Sequence, residues 1–188
     1  YAISKKMTPG IQVVVARKGK VIYQKSFGNH TYDSTQKVSN TDVYDIASLT
    51  KIVATLPNVM QEFDQGHLTL ETKLKTMLPE AKNSNKANAT VLDMLTHQAR
   101  FQPWIAFYKP TLDSLNRPST KYYRSEFSDE FPVHVADKLY LRKDYNDTIV
   151  KTIFESELLP KKQYKYSDFT FILFKEYLEL HNKKSLED

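Results

Sequence analysis

Ser48 and Lys51 stand three residues apart in the run DIASLTK, at the head of an apolar pattern with helical spacing. A serine hydroxyl becomes a useful nucleophile when a neighbouring base draws off its proton, and a lysine amine can serve as that base. Residues three apart on a helix share a face with Cβ atoms about 5–6 Å apart, so Lys51 reaches the Ser48 hydroxyl. The start of the helix adds a field that favours an anionic intermediate, and the Ser48 N–H can contribute to an oxyanion hole. Burial of Lys51 would lower its pKa and make it a proton acceptor near neutral pH. The spacing by itself is weak. With 13 serines and 22 lysines in the chain, about 1.5 Ser-x-x-Lys matches arise by chance. The second match, Ser34 to Lys37, lies in a polar loop where nothing fixes the side chains together. A helix-capping serine beside a solvated lysine is the competing reading of Ser48 and Lys51.

The elements that must position these groups can be read from periodicity. IQVVVAR (11–17) and KVIYQKSFG (20–28) are rich in β-branched and aromatic residues and read as a hairpin about Gly19. A polar loop runs on to about Asp42. Apolar residues at 49, 52, 53, 56, 59, 60 and 63 predict a buried helix face, firmest over 48–56 because Pro57 should bend the helix beyond that point. Gly66 is placed to end that helix. Two short helices, LETKLKTMLPE and TVLDMLTHQA with Thr90 as N-cap, are joined by a polar linker, AKNSNKANA. LNRPSTKYYRSEFSDEF reads as loop, and PVHVADKLYLR as a small hairpin about Asp137 and Lys138. The last two elements are amphipathic helices: DYNDTIVKTIFESELL, ended by Pro160, and SDFTFILFKEYLEL, opened by Ser167 or Asp168.

Composition narrows the function classes. The chain has 188 residues, room for one domain, with 40% hydrophobic and 26% charged residues. Its net charge of +5 is spread along the chain, and KKQYKY at 161–166 reads as a solvated turn, so no nucleic-acid partner is expected. Without cysteine there is no disulfide or thiolate chemistry, and the five histidines never fall at HxxxH spacing. No metal and no cofactor are expected. No run of eighteen apolar residues suggests a membrane span. The sequence opens on YAISKKMTPG without an initiator Met or a signal-peptide core, as a fragment of a longer protein would.

Four landmarks in order, PGIQVVVARKGKVIYQKSFG, TDVYDIASLTKIVAT, VLDMLTHQA and KYSDFTFIL, resemble the serine β-lactamase-like and penicillin-binding-protein-like hydrolases, nearest the class C and esterase branch. The resemblance implies an α+β fold with helices packed on an antiparallel sheet. It implies a single partial domain over 1–188, with strands and loop in 1–47 and a mainly helical region in 48–188. It places Ser48 as nucleophile, Lys51 as its lysine partner, and Tyr166 as the base that moves the serine proton, a role for which a phenol needs adjacent cations. His97, in the Leu-Thr-His segment, is a supporting residue. Asp168 and Trp104 are the expected substrate-binding residues, although Trp104, Phe107 and Tyr108 could equally be core packing.

The chain departs from that pattern in three places. Asp168 stands where the family usually has asparagine, which brings a negative group to a site that must stabilise negative charge, unless it merely caps its helix. Gln98, Ala99, Arg100 and Phe101 replace the usual Thr-Ser-Gly-Leu. No glycine follows Gly66, so the downstream Lys-Thr-Gly or His-x-Gly strand is absent, and the chain should span about half to two-thirds of a family domain. Such a fragment should leave a sheet edge exposed, inviting self-association or the missing segment. It should act through an acyl-enzyme on an ester, amide or peptidoglycan-like substrate, weakly or not at all, in an extracytoplasmic, cell-envelope setting. The alternative is a binding domain that keeps the fold without the activity.

Overall fold

β-Branched residues and the positive-φ pair Lys18 and Gly19 fold the first segment into β1 (Gly10–Arg17) and β2 (Lys20–Gly28). They form an antiparallel pair in register Gly10 to Gly28, with a bulge between Val15 and Ala16. The structure, a computed structural model, describes residues 1–186. It divides into two compact units, Tyr1–Ala47 and Ser48–Asp188. In the first, Gly28 has a φ of 73°, and a Cβ there would strike the Pro9 carbonyl. Val14, Val15, Val21, Ile22 and Tyr23 of the hairpin are exposed.

The second unit begins with a helical run that is not the regular α-helix the sequence predicts. Ala47–Leu49 is a 3₁₀ turn, Lys51–Thr55 is π-helical, and regular α-helix starts only at α1 (Leu56–Asp64). Pro57 therefore opens the regular helix rather than breaking it, since a proline in the first turn lacks only an N–H that would go unused. The π segment is closed by the Leu56 N–H donating five residues back to the Lys51 carbonyl. The predicted burial also fails along this run. Val59 is buried, but Leu49, Ile52, Val53, Met60 and Phe63 are exposed. The periodicity does mark an apolar face; most of it simply has no covering element among the described residues of this unit.

Behind α1 lie α2 (Leu74–Met77), a 3₁₀ turn (Pro79–Asn83) and α3 (Val91–Leu95). Thr90 caps α3 as expected, in a reciprocal capping box with Asp93. The predicted polar linker is partly core: Ala81, Lys86 and Ala87 are buried. A short antiparallel sheet has the order β3 (Tyr123–Arg124), β5 (Leu139–Leu141), β4 (Val133–Ala136). The β4–β5 hairpin is legible in the sequence. β3 lies in a stretch that reads as loop, because two paired residues leave no period to detect. α4 (Tyr145–Glu155) stops at Ser156, before Pro160, and α5 (Phe169–Asn182) comes next. One face of α5, with Phe169, Leu173, Phe174 and Leu178, packs into a core with Leu74, Leu78, Met94, Phe101 and Ile153. At about 25 cal/mol per Å² of apolar area removed from water, this cluster is what holds the unit together.

Candidate active site

Two ends of the second unit's chain meet over Ser48. Lys51 Nζ donates to Ser48 Oγ at 3.2 Å, and the Tyr166 hydroxyl donates to the same oxygen at 3.0 Å across 118 residues of sequence. Lys51 Nζ also pairs with Asp168 Oδ1 at 2.8 Å. It lies 5.4 Å from the centre of the Tyr166 ring and 5.8 Å from that of Phe171, so its other neighbours are aromatic faces that favour a cation. The Lys51 side chain is 17% exposed and that of Asp168 42%. Ala47, just before Ser48, has a φ of 44°, and its N–H is held at 2.7 Å by the Asp45 carboxylate. Such strain in a residue other than glycine needs support of this kind.

Burial alone would lower the Lys51 pKa, but the net shift runs the other way. The hydrogen bond and charge of Asp168, with Tyr166, outweigh burial and raise it above the ordinary lysine value. Lys51 is an ammonium in this arrangement. Asp168 occupies the N-cap position of α5 but makes no capping hydrogen bond with its side chain. Ser167 Oγ accepts from the Phe169 N–H instead, at 3.2 Å. The Asp168 carboxylate thus pairs with Lys51 and not with the N–H groups that open α5.

Tyr166 and Asp168 are set by the residue between them. Ser167 is buried; its hydroxyl donates to the Gln102 carbonyl at 2.6 Å and its N–H donates to His97 Nδ1 at 3.2 Å. The Asp168 N–H donates to the Pro103 carbonyl at 2.9 Å. An acceptor Nδ1 requires a neutral His97, and burial, then the nearby Lys51 charge, keeps its pKa below the usual histidine value. The His97 ring also lies 4.7 Å from the Tyr166 ring, tilted at 41° to it, and His97 has a φ of 54°. Arg100, where the resemblance places glycine, takes a φ of 63°; its side chain and N–H···O contacts with Leu159 offset that strain.

Trp104, one residue after Pro103, is 60% exposed, and Tyr108 is exposed too, while Phe107 packs on the core against Phe169. The aromatic segment is thus split between surface and core. Sequence reasoning missed Ser167 as the residue that fixes Tyr166. Its signal was slight: one hydroxyl in a tyrosine-serine-aspartate run before a helix.

A family model described as Beta-lactamase matches residues 2–188. The N-acetylmuramyl-L-alanine amidase of Bacillus subtilis (strain 168) is 28% identical over 131 residues, 63% of this chain and 28% of that protein. Protein flp of Staphylococcus aureus (strain NCTC 8325 / PS 47) is 31% identical over 92 residues, 48% of this chain and 18% of that protein. The crystal structure of FmtA from Staphylococcus aureus superposes with a TM-score of 0.67 at 16% identity, covering 98% of this chain and 43% of that one. Class C β-lactamases, a penicillin-binding protein homologue and the hydrolase EstCE1 share the fold, and this chain covers 38% to 45% of them. It therefore spans less than half the length of each of these proteins, as a partial domain does. With the Beta-lactamase match running over residues 2–188, the chain belongs to the β-lactamase family.

Proposed function

We propose that this chain carries the nucleophile half of a serine acyl-transfer site, acting on an ester, amide or peptidoglycan-like carbonyl. The observation that carries it is the double hydrogen bond to Ser48 Oγ from Lys51 and Tyr166. Ser48 Oγ attacks the substrate carbonyl carbon, whose π electrons move onto oxygen as the tetrahedral intermediate forms. The Tyr166 hydroxyl relays the proton: its oxygen takes the serine proton as its own phenolic proton passes to the leaving group and the carbonyl reforms. The Lys51 ammonium stabilises the developing negative charge, and water then cleaves the acyl-enzyme. The Ser48 N–H supplies one oxyanion donor, and turnover by this partial domain is weak. The relative named as an N-acetylmuramyl-L-alanine amidase favours a peptidoglycan-like substrate and an extracytoplasmic setting.

A second reading, a binding domain without turnover, is favoured by one contact. Asp168 holds Lys51 protonated and places a carboxylate beside the site. Treatment with a fluorophosphonate and, separately, a penicillin, read by intact mass, decides between them. The expected outcome is a single fluorophosphonate adduct that Ser48→Ala abolishes. No adduct, or one that survives the substitution, overturns the first reading in favour of the second.

A further inference from the structure

At the far end of α1 a second cluster forms that the acyl-transfer chemistry does not use. The helix closes with Gly66 at a φ of 77°, its N–H bonded to the Phe63 carbonyl and the His67 N–H to the Glu62 carbonyl. This double bond pattern turns the chain back so that His67 sits beside Glu62. The last turn of α5 brings His181 to the same point. His67 Nδ1 lies 3.0 Å from Glu62 Oε2, His181 Nε2 lies 3.4 Å from that oxygen, and the two nitrogens are 3.2 Å apart.

Hydrogen bonding alone fits this triangle poorly. An ionised carboxylate only accepts, and each ring nitrogen either donates or accepts. If both nitrogens carry protons, two N–H groups face each other; if one does, the other turns a lone pair toward a neighbour's. Glu62 is 2% exposed, and among the described residues neither lysine nor arginine pairs with it. A buried carboxylate in that position, reached otherwise by the neutral donors Tyr177 and Asn182, is stabilised by a cation. Donors bound at about 2.0–2.1 Å in a tetrahedron are about 3.3 Å apart, close to the three edges of 3.0, 3.2 and 3.4 Å.

We propose that Glu62, His67 and His181 form a divalent transition-metal site of the zinc class, joining the end of α1 to the end of α5. Two imidazoles and one carboxylate oxygen suit zinc rather than magnesium or calcium, which take oxygen ligands. Both rings are part-exposed, with side chains 44% and 39% accessible, so an ion has a way in and water a fourth position. Glu62 is oriented from behind: the Tyr177 hydroxyl donates to Oε2 at 3.3 Å and Asn182 Nδ2 to Oε1 at 3.2 Å. Such outer partners hold a ligand in its binding geometry. The site escapes sequence inspection because His67 and His181 are separated by 114 residues.

Calorimetric titration of the 188-residue chain with zinc chloride, above neutral pH, tests it, with magnesium chloride as control. One zinc per chain is expected, together with a thermal midpoint that rises with zinc and not with magnesium. His67→Ala with His181→Ala should weaken binding by more than roughly 100-fold, since removal of an outer partner alone costs about 10–100-fold. Both histidines are part-exposed, so the double variant should keep its fold, checked by circular dichroism. Glu62→Gln, which keeps the buried volume, gives an independent variant with the same expected direction. Absence of saturable zinc binding, or affinity unchanged in these variants, overturns the proposal.

Discussion

Lys51 and Lys86 are both drawn away from solvent, yet the protein treats them in opposite ways. Lys86 is 1% exposed; its ammonium donates to Asn85 Oδ1 at 2.8 Å and to the Ser156 carbonyl, both uncharged acceptors. Burial pushes its pKa down to about 8, with Glu157 opposing only through distant charge. Lys51 keeps 17% of its side-chain exposure and touches a carboxylate, and its pKa rises. The partner, and not burial alone, decides whether a lysine in this fold is an acid or a base. A near-neutral lysine base needs burial without a charged partner. Among the described residues Lys86, in the 81–89 linker, is of that kind, and Lys51 beside Ser48 is not.

The largest test of this contrast removes the Lys51 charge. If the ammonium stabilises the acylation transition state, Lys51→Met should slow fluorophosphonate labelling of Ser48 by roughly 10²–10⁴-fold. Labelling at an unchanged rate would mean that Lys51 is only a structural partner of Asp168. Lys86 gives the next largest effect, on stability. Between pH 8 and 10.5 the unfolded chain holds the Lys86 proton and the folded one does not, so stability should rise with pH across that window. The shift from 10.5 to about 8 sets an upper figure of about 3 kcal/mol. Lys51 and Lys175, with raised values, change stability in the opposite sense above the ordinary lysine range. Denaturant unfolding of the natural chain against Lys86→Met isolates this contribution: the difference should grow from pH 8 to 10. Equal pH slopes would show that the folded protein keeps that proton.

Local signals carried much of the fold. The hairpin of β1 and β2, the Thr90 cap and the start of α5 each rest on a few neighbouring residues, and each was legible. What escaped depends on distant partners. The exposure of Ile52, Val53 and Phe63 is set by what covers the helix, which periodicity cannot say. The π turns at Lys51–Thr55 leave no compositional mark. Ser48, Lys51 and Tyr166 could be named through ordered landmarks. The state of Lys51 could not, because Asp168 lies 117 positions further along and only the folded chain brings it to 2.8 Å.

That contact supplies the finest test. Asp168→Asn keeps the size and the N-cap position of the side chain but removes the charge, leaving Lys51 with a neutral amide much as Lys86 has Asn85. Two effects should then act together. The Lys51 pKa should fall, because the opposing charge that outweighs burial is gone. An anionic intermediate at Ser48 should also lose a repulsive neighbour. Labelling at neutral pH should accelerate by roughly tenfold, a difference of about 1.4 kcal/mol at the transition state. The pH profile separates the two contributions. If proton acceptance by Lys51 becomes important, the gain should grow as pH rises through the lowered lysine pKa; if repulsion alone matters, the gain should be constant with pH. A slower reaction at every pH would reverse the argument, because it would mean that the Asp168 carboxylate is needed to hold the ammonium against Ser48 and Tyr166. The three-residue spacing of Ser48 and Lys51 would then be insufficient without a third group to aim the lysine.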